Sequence, residues 1–536
     1  MRKKIFFILM TTVTFFMQSC SDFLEKAPLG RETDQNFLKD PNNAILAVNA
    51  AYDVLQYDEG SDGQGNYLPH NYEWMWGDVL SDDAEKGSTP SDFIAIQELK
   101  EWRATPSNGP TSGLWGNLWV GVFRSNFVLQ NIDNSGLPTT VLNRVKGEAK
   151  FLRAYFYFYL VRVYGGVPLF TKGISPDQYK TSKRASISET YAFIEADLKD
   201  AIALLPEKNG YSATDMGRAT KGAARGYLSR AIMYQIGMDN KNGHKWDEVY
   251  ALTSDIMKSG QYALANNYSE IFETSGENNI ESVFEVQASE VSSVGWGGDP
   301  KKTGVANNII QNNRATWGWG FNNPTKSLIA EYEPNDPRRE ATVYGNDDVV
   351  LGIKQTIKYP EQNYTGYLNR KAALLKPVET KASGQNIRKM RYADILLMNA
   401  EAAANVGKSS EAIAILNLIR DRAKKATKPL GTVEGSALTY ESANVPSTAL
   451  PAISASLTGK PLMDAIWHER RVELGMEQLR FWDLVRTGRY LNTLDSKVRA
   501  ACQSHSIPGT ANAIPVLPIP INEVQSWGIE QNPAYN

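Results

Sequence analysis

Few residues in this chain have the types and spacing that covalent chemistry needs. The run His468-Glu469-Arg470-Arg471 begins like a zinc-protease signature but lacks its second histidine. Asp82 and Asp83 could serve a glycosidase, which needs two carboxyl groups facing each other across a sugar. As sequence neighbours, however, they are more typical of a turn that caps the next element. With four histidines and two cysteines, the sequence predicts no catalytic residue, no metal site and no cofactor.

Aromatic residues that lie beside polar ones suit noncovalent binding better. A sugar ring has an apolar C–H face and an edge of hydroxyls, so its site needs flat aromatics and nearby Asn, Asp, Arg or Lys. Two loop stretches offer both, one at 71–87 with 99–103 and the other at 292–317. The candidate ligand-binding residues in them are Trp296, Trp76, Trp102, Trp317, Trp74 and Tyr72.

Core packing is the alternative for every aromatic residue. Trp115 and Trp119 fall in helical register, which favours packing for both. Trp296 differs because glycines at 295, 297 and 298 surround it and cannot build a core around the ring. Its neighbours therefore favour an exposed or ligand-facing position.

Length and charge limit the partners. The chain has 536 residues, enough for several domains or for one large helical domain. Its 57 basic and 59 acidic residues leave a net charge of −2, and no long run of one sign occurs. Nucleic acid and anionic membrane surfaces are therefore poor candidates for partners.

The first residues have the features of an export signal. Arg2, Lys3 and Lys4 are followed by an apolar run of roughly 13 residues, which suits a signal peptide and is too short to span a membrane. The run ends in Met17-Gln18-Ser19-Cys20, which resembles the lipobox of bacterial lipoproteins. We therefore expect a signal peptide at 1–19, lipid on Cys20 and a tether at 20–40. An ordinary signal peptide with an incidental cysteine is the alternative.

Helical patterns dominate the rest of the chain. Leu152, Tyr155, Phe156, Tyr159 and Val163 recur at helical spacing in a stretch that is aromatic on all sides. Gly165 is expected to end this helix, and Ser188 to cap the next one. The pattern predicts helical blocks at about 41–260, 386–425 and 461–490, and irregular regions at about 265–385 and 426–460.

Two late helices repeat one another. Apolar residues recur at i, i+3, i+4, i+7 and i+11 from Ala393 and again from Ala412, and "GKSS" between them supplies a turn and a serine cap. Such a pair resembles a tetratricopeptide unit. Because no clean 34-residue repeat runs through the chain, we expect a mainly α fold with tetratricopeptide-like pairs instead of a uniform array.

Five strings of sequence, in order, resemble the SusD/RagB family of surface nutrient-binding lipoproteins. They are "YGGVPLF" at 164–170, "WGWGFNNPTKSLIAEYEPNDPRR" at 317–339, "RYADILLMNAEAAANVG" with "EAIAILNLIRDRA" at 391–423, "ERRVELGMEQLRFWDLVRTG" at 469–488 and "VLPIPINEVQSWGIEQNPAY" at 516–535. With the lipobox they cover essentially the whole chain.

The resemblance implies a SusD-like α-helical superstructure at 41–536, with the ligand platform in an irregular region. Trp319 and Phe321 lie in a string shared whatever the ligand, which favours packing for both. Family members face the medium from the outer membrane and act as lids on a SusC-like TonB-dependent barrel. That barrel imports oligosaccharides or, in some branches, peptides. Asp22 and Glu25 look similar to the surface-export signal of such lipoproteins.

The sequence therefore predicts a lipid-anchored outer-membrane protein, facing outward, that binds glycans and delivers them to a SusC-like transporter without covalent chemistry. Three alternatives remain open at this point. They are a peptide-binding member of the same family, a lipid-anchored glycoside hydrolase, and a tetratricopeptide scaffold that binds only protein.

Overall fold

The computed structural model describes residues 37–57, 59–61, 67–69, 73–133, 135–288, 307–315, 318–350, 353–358, 361, 363–374, 383–431, 439–442, 445–507 and 513–536. Its helices in chain order are α1 Pro41–Asp53, α2 Ile94–Lys100, α3 Gly109–Asn131, α4 Thr139–Tyr164, α5 Pro176–Lys180, α6 Ile187–Leu204, α7 Lys221–Gly237, α8 Trp246–Lys258, α9 Asn307–Gln311, α10 Lys326–Glu331, α11 Arg338–Thr342, α12 Tyr392–Asn405, α13 Ser409–Ala423, α14 Gly459–Leu474, α15 Arg480–Arg486, α16 Tyr490–Thr493, α17 Ser496–Ser504 and α18 Ile521–Gln525. The predicted mainly α fold is confirmed.

The long helices form a continuous stack in which each contacts the next. Helix α4 packs against α3 and α6, α6 against α7, α7 against α8, and α8 against α12, which also contacts α13 and α14. As its all-round aromatic pattern predicts, α4 is buried on every side over its last four turns. Gly165 ends it in the left-handed region at φ 77°, which glycine adopts without steric cost.

Two predicted helix caps are wrong. Helix α6 is capped by Ser186, two residues before the predicted Ser188, because Ser186 and Glu189 form a reciprocal capping box. The Ser186 Oγ accepts from the Glu189 backbone N–H at 3.2 Å, and the Glu189 carboxylate accepts from the Ser186 N–H at 2.8 Å. Helix α13 begins at Ser409 after Lys408, whose side chain makes no capping hydrogen bond, so the serine cap expected in "GKSS" does not form.

Among the described residues, strands pair only two at a time and always antiparallel. The pairs are β1 Glu59–Ser61 with β2 Tyr67–Pro69, β3 Ala84–Gly87 with β5 Phe321–Pro324, β4 Ser282–Val286 with β10 Ile387–Arg391, β6 Val343–Gly345 with β9 Tyr367–Asn369, β7 Val349–Val350 with β8 Ile353–Lys354, β11 Thr427–Gly431 with β12 Thr439–Ser442, and β13 Ser506–Ile507 with β14 Ile514–Pro515. The β3–β5 pair matters most for the site because it joins two distant parts of the sequence.

A buried network of ion pairs fastens the helical stack to the irregular region. The Glu473 carboxylate on α14 accepts hydrogen bonds from Arg391 at 2.7 Å, from Arg338 at 3.1 Å and from Arg422. All four side chains are almost inaccessible to solvent. Burial alone would raise the pKa of Glu473, but the charges of Arg422, Arg391 and Arg338 outweigh it and hold that pKa well below its usual range.

Two further observations concern export and redox chemistry. Within the described ranges, no helix is both long enough and apolar enough to cross a membrane. Cys502 on α17 is buried and lies in no disulfide among the residues that the structure describes. Burial raises the pKa of its thiol, so this cysteine is an unreactive packing residue.

Candidate functional site

Three of the predicted ligand-binding aromatics are packing residues instead. Trp74 and Trp76 have no exposed surface, and Trp102 is 2% exposed. The Trp74 ring stacks on Phe321 with centroids 6.1 Å apart, and Trp102 packs against Phe481 at 5.8 Å. A buried ring offers no face to a ligand, so the prediction is wrong for these three. Tyr72, Trp296, Trp317 and Cys20 lie outside the described residues and remain predictions.

The two predicted loop stretches nevertheless come together, through other residues. Strands β3 and β5 pair with Gly87 opposite Phe321, which places the end of the first stretch beside residues that follow the second. Arg314 then reaches across: its Nη1 donates to Asp92 Oδ2 at 2.5 Å and to Ser88 Oγ at 3.0 Å. The side chains gathered at this junction are Lys86, Asp92, Arg314, Trp319 and Tyr364, which we call the Trp319 platform.

Glycines on both sides hold Trp319 in place. The Gly318 N–H donates to the Asn313 carbonyl at 3.0 Å, and the Gly320 N–H to the Asn312 carbonyl at 2.7 Å. A Cβ at Gly318 would lie 2.2 Å from the Asn312 carbonyl oxygen, so no larger residue fits there. Gly320 adopts φ 71°. The tight turn therefore depends on glycine at both positions.

The Trp319 ring is half-buried. It packs on the main hydrophobic core, and the Arg314 guanidinium lies 5.4 Å from its centroid. Phe321, in contrast, is 1% exposed. The sequence interpretation of both residues as packing is thus confirmed for Phe321, while Trp319 is half-buried beside Arg314, which pairs with Asp92.

Tyr364 and Lys86 form the second aromatic–cation pair of the platform. The Lys86 Nζ lies 5.4 Å from the Tyr364 centroid and donates to the carbonyls of Thr89 at 2.8 Å and Asp92 at 2.7 Å. Burial lowers the pKa of Lys86 to about 8. The Tyr364 N–H donates to Asn323 Oδ1 at 3.3 Å, which ties the half-buried tyrosine to β5.

Asp92 is held in its charged form. Burial opposes ionisation, but hydrogen bonds from Ser88 and Thr89 and the charge of Arg314 outweigh it and lower the pKa of Asp92. The platform therefore offers a fixed carboxylate acceptor and a guanidinium donor next to two half-buried aromatic rings. These are the groups that a sugar needs.

A layer of buried amides supports β5 from behind. The Asn322 Nδ2 donates to Gln311 Oε1 at 2.8 Å and to Asp78 Oδ2 at 3.1 Å, and Asn369 Nδ2 donates to Gln311 Oε1 at 2.9 Å. Desolvation raises the pKa of the buried Asp78 to about 7. The sequence shows the asparagines, but nothing in it places them against Asp78.

Replacing Asp78 by asparagine should remove a pH dependence of stability. The raised pKa means that the folded chain keeps a proton between about pH 4 and pH 7 that the unfolded chain has lost. The stability from this proton is complete below the unfolded pKa and is lost as pH rises through about 7. Between pH 4 and pH 8 the wild type should lose up to about 4 kcal/mol relative to Asp78→Asn.

Urea unfolding of both proteins at several pH values measures this difference. Asp347→Asn is the control, because Asp347 is exposed and the hydrogen bond and charge of Lys354 lower its pKa. Parallel stability curves for the wild type and Asp78→Asn would show that Asp78 ionises normally in the folded protein.

A cleft of about 170 Å³ lies between α1, the segment before α7 and the end of β4. Its lining includes Tyr52, Gln56, Met216, Arg218 and Gln287. The Gln56 Nε2 donates to the Gln287 carbonyl at 2.6 Å. This bond joins the residues after α1 to the residue after β4.

The carboxylate pair Asp82 and Asp83 faces arginines, not a sugar-sized gap. Asp82 accepts from the Arg480 Nε at 2.8 Å, and Asp83 accepts from the Arg471 Nε at 2.9 Å. They lie in the turn before β3, as expected, but bind these distant arginines instead of capping the strand. In the part of the chain that the structure describes, no group of three or more His, Cys, Asp or Glu side chains could hold a metal ion.

Comparison with known proteins places the chain in a family. A model of the SusD family matches residues 280–535, and a model described as starch-binding and associating with the outer membrane matches residues 65–233. The SusD-like protein P38 of Formosa agariphila is 26% identical over 510 residues, which is 89% of this chain and 90% of P38.

Solved structures agree with these matches. A laminarin-binding SusD-like protein superposes with a TM-score of 0.69 at 27% identity, covering 92% of this chain and 99% of that one. Surface glycan-binding protein A from Bacteroides fluxus superposes with a TM-score of 0.71 at 25% identity, with the same coverage. The family strings, the helical stack and both family models agree, and the chain belongs to the SusD/RagB family.

Proposed function

We propose that this protein binds glycans at the Trp319 platform. The observation that carries the proposal is the half-buried Trp319 ring with the Arg314–Asp92 pair beside it. Relatives named for binding laminarin and surface glycans support the same ligand class. Trp296, Trp317 and Tyr72, outside the described residues, remain proposed ligand contacts.

The groups of the platform match the two faces of a sugar. A pyranose ring would lay its C–H face on the exposed parts of Trp319 and Tyr364. Its hydroxyls would donate to the Asp92 carboxylate and accept from the Arg314 guanidinium. Because Arg314 and Asp92 pair with each other, each compensates the charge of the other, which suits a neutral ligand with many hydroxyls.

The same arrangement supports our proposal that the protein binds glycans without covalent chemistry. Glycoside hydrolysis usually takes two carboxyl groups on either side of the scissile bond. The platform holds a single carboxylate, Asp92, and its pKa is lowered, whereas a general acid needs a raised one. Asp82 and Asp83 are committed to Arg480 and Arg471.

We further propose that the protein is anchored by lipid on Cys20 in the outer membrane, faces outward, and passes its glycan to a SusC-like TonB-dependent barrel. The lipobox-like Met17-Gln18-Ser19-Cys20 supports the anchor, and the family model described as associating with the outer membrane supports the location. Permanent attachment to a membrane needs more than one acyl chain, and the cysteine of a bacterial lipoprotein carries several.

Native gels that contain a polysaccharide test the binding proposal. Purified protein should be retarded by at least one member of a broad panel that includes laminarin, and it should release no reducing ends from that polysaccharide. Migration unchanged by every member of the panel would favour a peptide ligand or a protein scaffold. Release of reducing ends would favour the hydrolase.

Labelling with palmitate tests the anchor. Cys20→Ala should abolish incorporation of labelled palmitate, because the thiol is the proposed attachment point. Cys502→Ala is the matched control and should keep the label, since Cys502 is buried in α17. Label retained by Cys20→Ala would show that the lipobox assignment is wrong.

A further inference from the structure

Arg489, which follows helix α15, differs from the neighbouring arginines in its ion pairing. Both terminal nitrogens of Arg486 donate to the Glu401 carboxylate, at 2.7 and 2.8 Å. Arg470 forms ion pairs with Asp394 and Asp483, each at 2.6 Å. For Arg489, by contrast, the described residues supply no carboxylate within ion-pair distance. Its hydrogen bond runs from Nε to the Thr487 Oγ1 at 2.8 Å, which leaves the two terminal nitrogens without an acceptor from that part of the chain.

The Arg489 side chain is nevertheless held in one orientation. Its guanidinium lies 4.3 Å from the centroid of the Trp467 ring on α14, and both side chains are half-buried. Gly488 adopts φ 68°, a conformation that turns the chain sharply after α15. Stacking on tryptophan and the bond to Thr487 together fix the plane of the guanidinium before any ligand arrives.

The carboxylates around Arg489 are already used. Both oxygens of Glu401 accept hydrogen bonds from Arg486. One oxygen of Asp483 accepts from Arg470 and the other from Arg486. Arg480, the cation with the largest charge effect on Arg489, is paired with Asp82. Burial and these neighbouring arginines lower the pKa of Arg489 to about 10. A guanidinium kept partly desolvated among like charges is costly, and such costs concentrate at binding sites.

We propose that the Arg489 guanidinium, stacked on Trp467 and without a carboxylate partner among the described residues, binds an oxyanion. Its two terminal nitrogens form a planar fork whose spacing matches two oxygens of a carboxylate or a sulfate. The oxyanion could be a free inorganic ion or an acidic group on a sugar. The site is built from α14 and the segment after α15, so it does not depend on glycan binding at the Trp319 platform.

Equilibrium dialysis with ³⁵S-labelled sulfate, at constant ionic strength, tests this site. The protein used is the whole chain without the predicted signal peptide at 1–19. The wild type should bind a single sulfate. Arg489→Gln should bind it at least about 10-fold more weakly, because a charge-assisted bidentate contact is lost. Arg489→Lys should bind with intermediate affinity, since the charge remains without the fork.

Arg103→Gln is the matched control, because it also removes one positive charge but from an exposed arginine paired with Glu101. It should bind sulfate like the wild type. Competition identifies the source of the anion. If glucuronate displaces sulfate and glucose does not, the natural ligand is an acidic sugar. If phosphate alone displaces sulfate, the natural ligand is a free inorganic ion. Equal sulfate binding by the wild type, Arg489→Gln and Arg489→Lys would overturn the proposal.

Discussion

Replacing Trp319 by alanine should weaken glycan binding by about 5- to 150-fold while the protein stays folded. An aromatic ring that stacks on a flat ligand contributes roughly 1–3 kcal/mol, and that range corresponds to this loss of affinity. Trp319 is half-buried, between the core and the Arg314–Asp92 pair. The variant therefore removes the apolar surface on which we place the sugar and leaves the polar groups of the platform.

A second tryptophan of similar environment provides the control. Trp527 is also half-buried, and Lys180 Nζ lies 5.8 Å from its ring centroid, much as Arg314 lies over Trp319. Trp527→Ala should leave glycan affinity unchanged, because Trp527 packs against Tyr179, near the C-terminus and outside the platform. Titration calorimetry with the polysaccharide identified in the gels compares the three proteins. Equal losses in both variants would mean that Trp319 acts through stability and not through contact.

Replacing Glu473 by glutamine should lower the free energy of unfolding by about 3–5 kcal/mol. Glu473 accepts hydrogen bonds from three arginines, and the side chains of Arg338 and Arg391 are at most 2% exposed. An amide of the same shape keeps the volume but removes the negative charge. Because breaking a buried ion pair leaves an uncompensated charge inside the protein, the cost is far larger than at the surface.

Glu411→Gln supplies the comparison for Glu473. Glu411 lies on the exposed side of α13, 3.2 Å from Lys408 Nζ, and a surface pair of this kind contributes at most about 1 kcal/mol. Urea unfolding monitored by circular dichroism measures both variants. A loss for Glu473→Gln no larger than that for Glu411→Gln would contradict the role assigned to the buried network.

The helices could be predicted from the sequence because their signals are local. In α4, apolar and aromatic residues recur within one or two turns, and a glycine marks the end, so the period alone indicates a long buried helix. The pair α12 and α13 follows the same logic. The cap of α6 was predicted two residues too late, although the Ser186-x-x-Glu189 spacing is itself the signature of a capping box.

The site could be predicted only in part, because long-range pairing decides which aromatics are exposed. Of the platform, only Lys86 and Arg314 lie in the stretches that the sequence indicates. The β3–β5 pair buries Trp74 against Phe321, while Trp319 stays half-buried. Likewise, Arg471 meets Asp83 across 388 positions in the chain. No local pattern predicts such a long-range contact. The sequence alone therefore indicates a turn at Asp82 and Asp83 and does not reveal their arginine partners.

The most direct test of glycan binding at the platform is a crystal structure of the protein with the oligosaccharide that the binding assays identify. The account predicts a sugar ring in van der Waals contact with the Trp319 indole, roughly 4 Å away, with hydroxyls hydrogen-bonded to Asp92 or Arg314. A well-ordered oligosaccharide bound elsewhere, with Trp319 and Tyr364 uncovered, would contradict it.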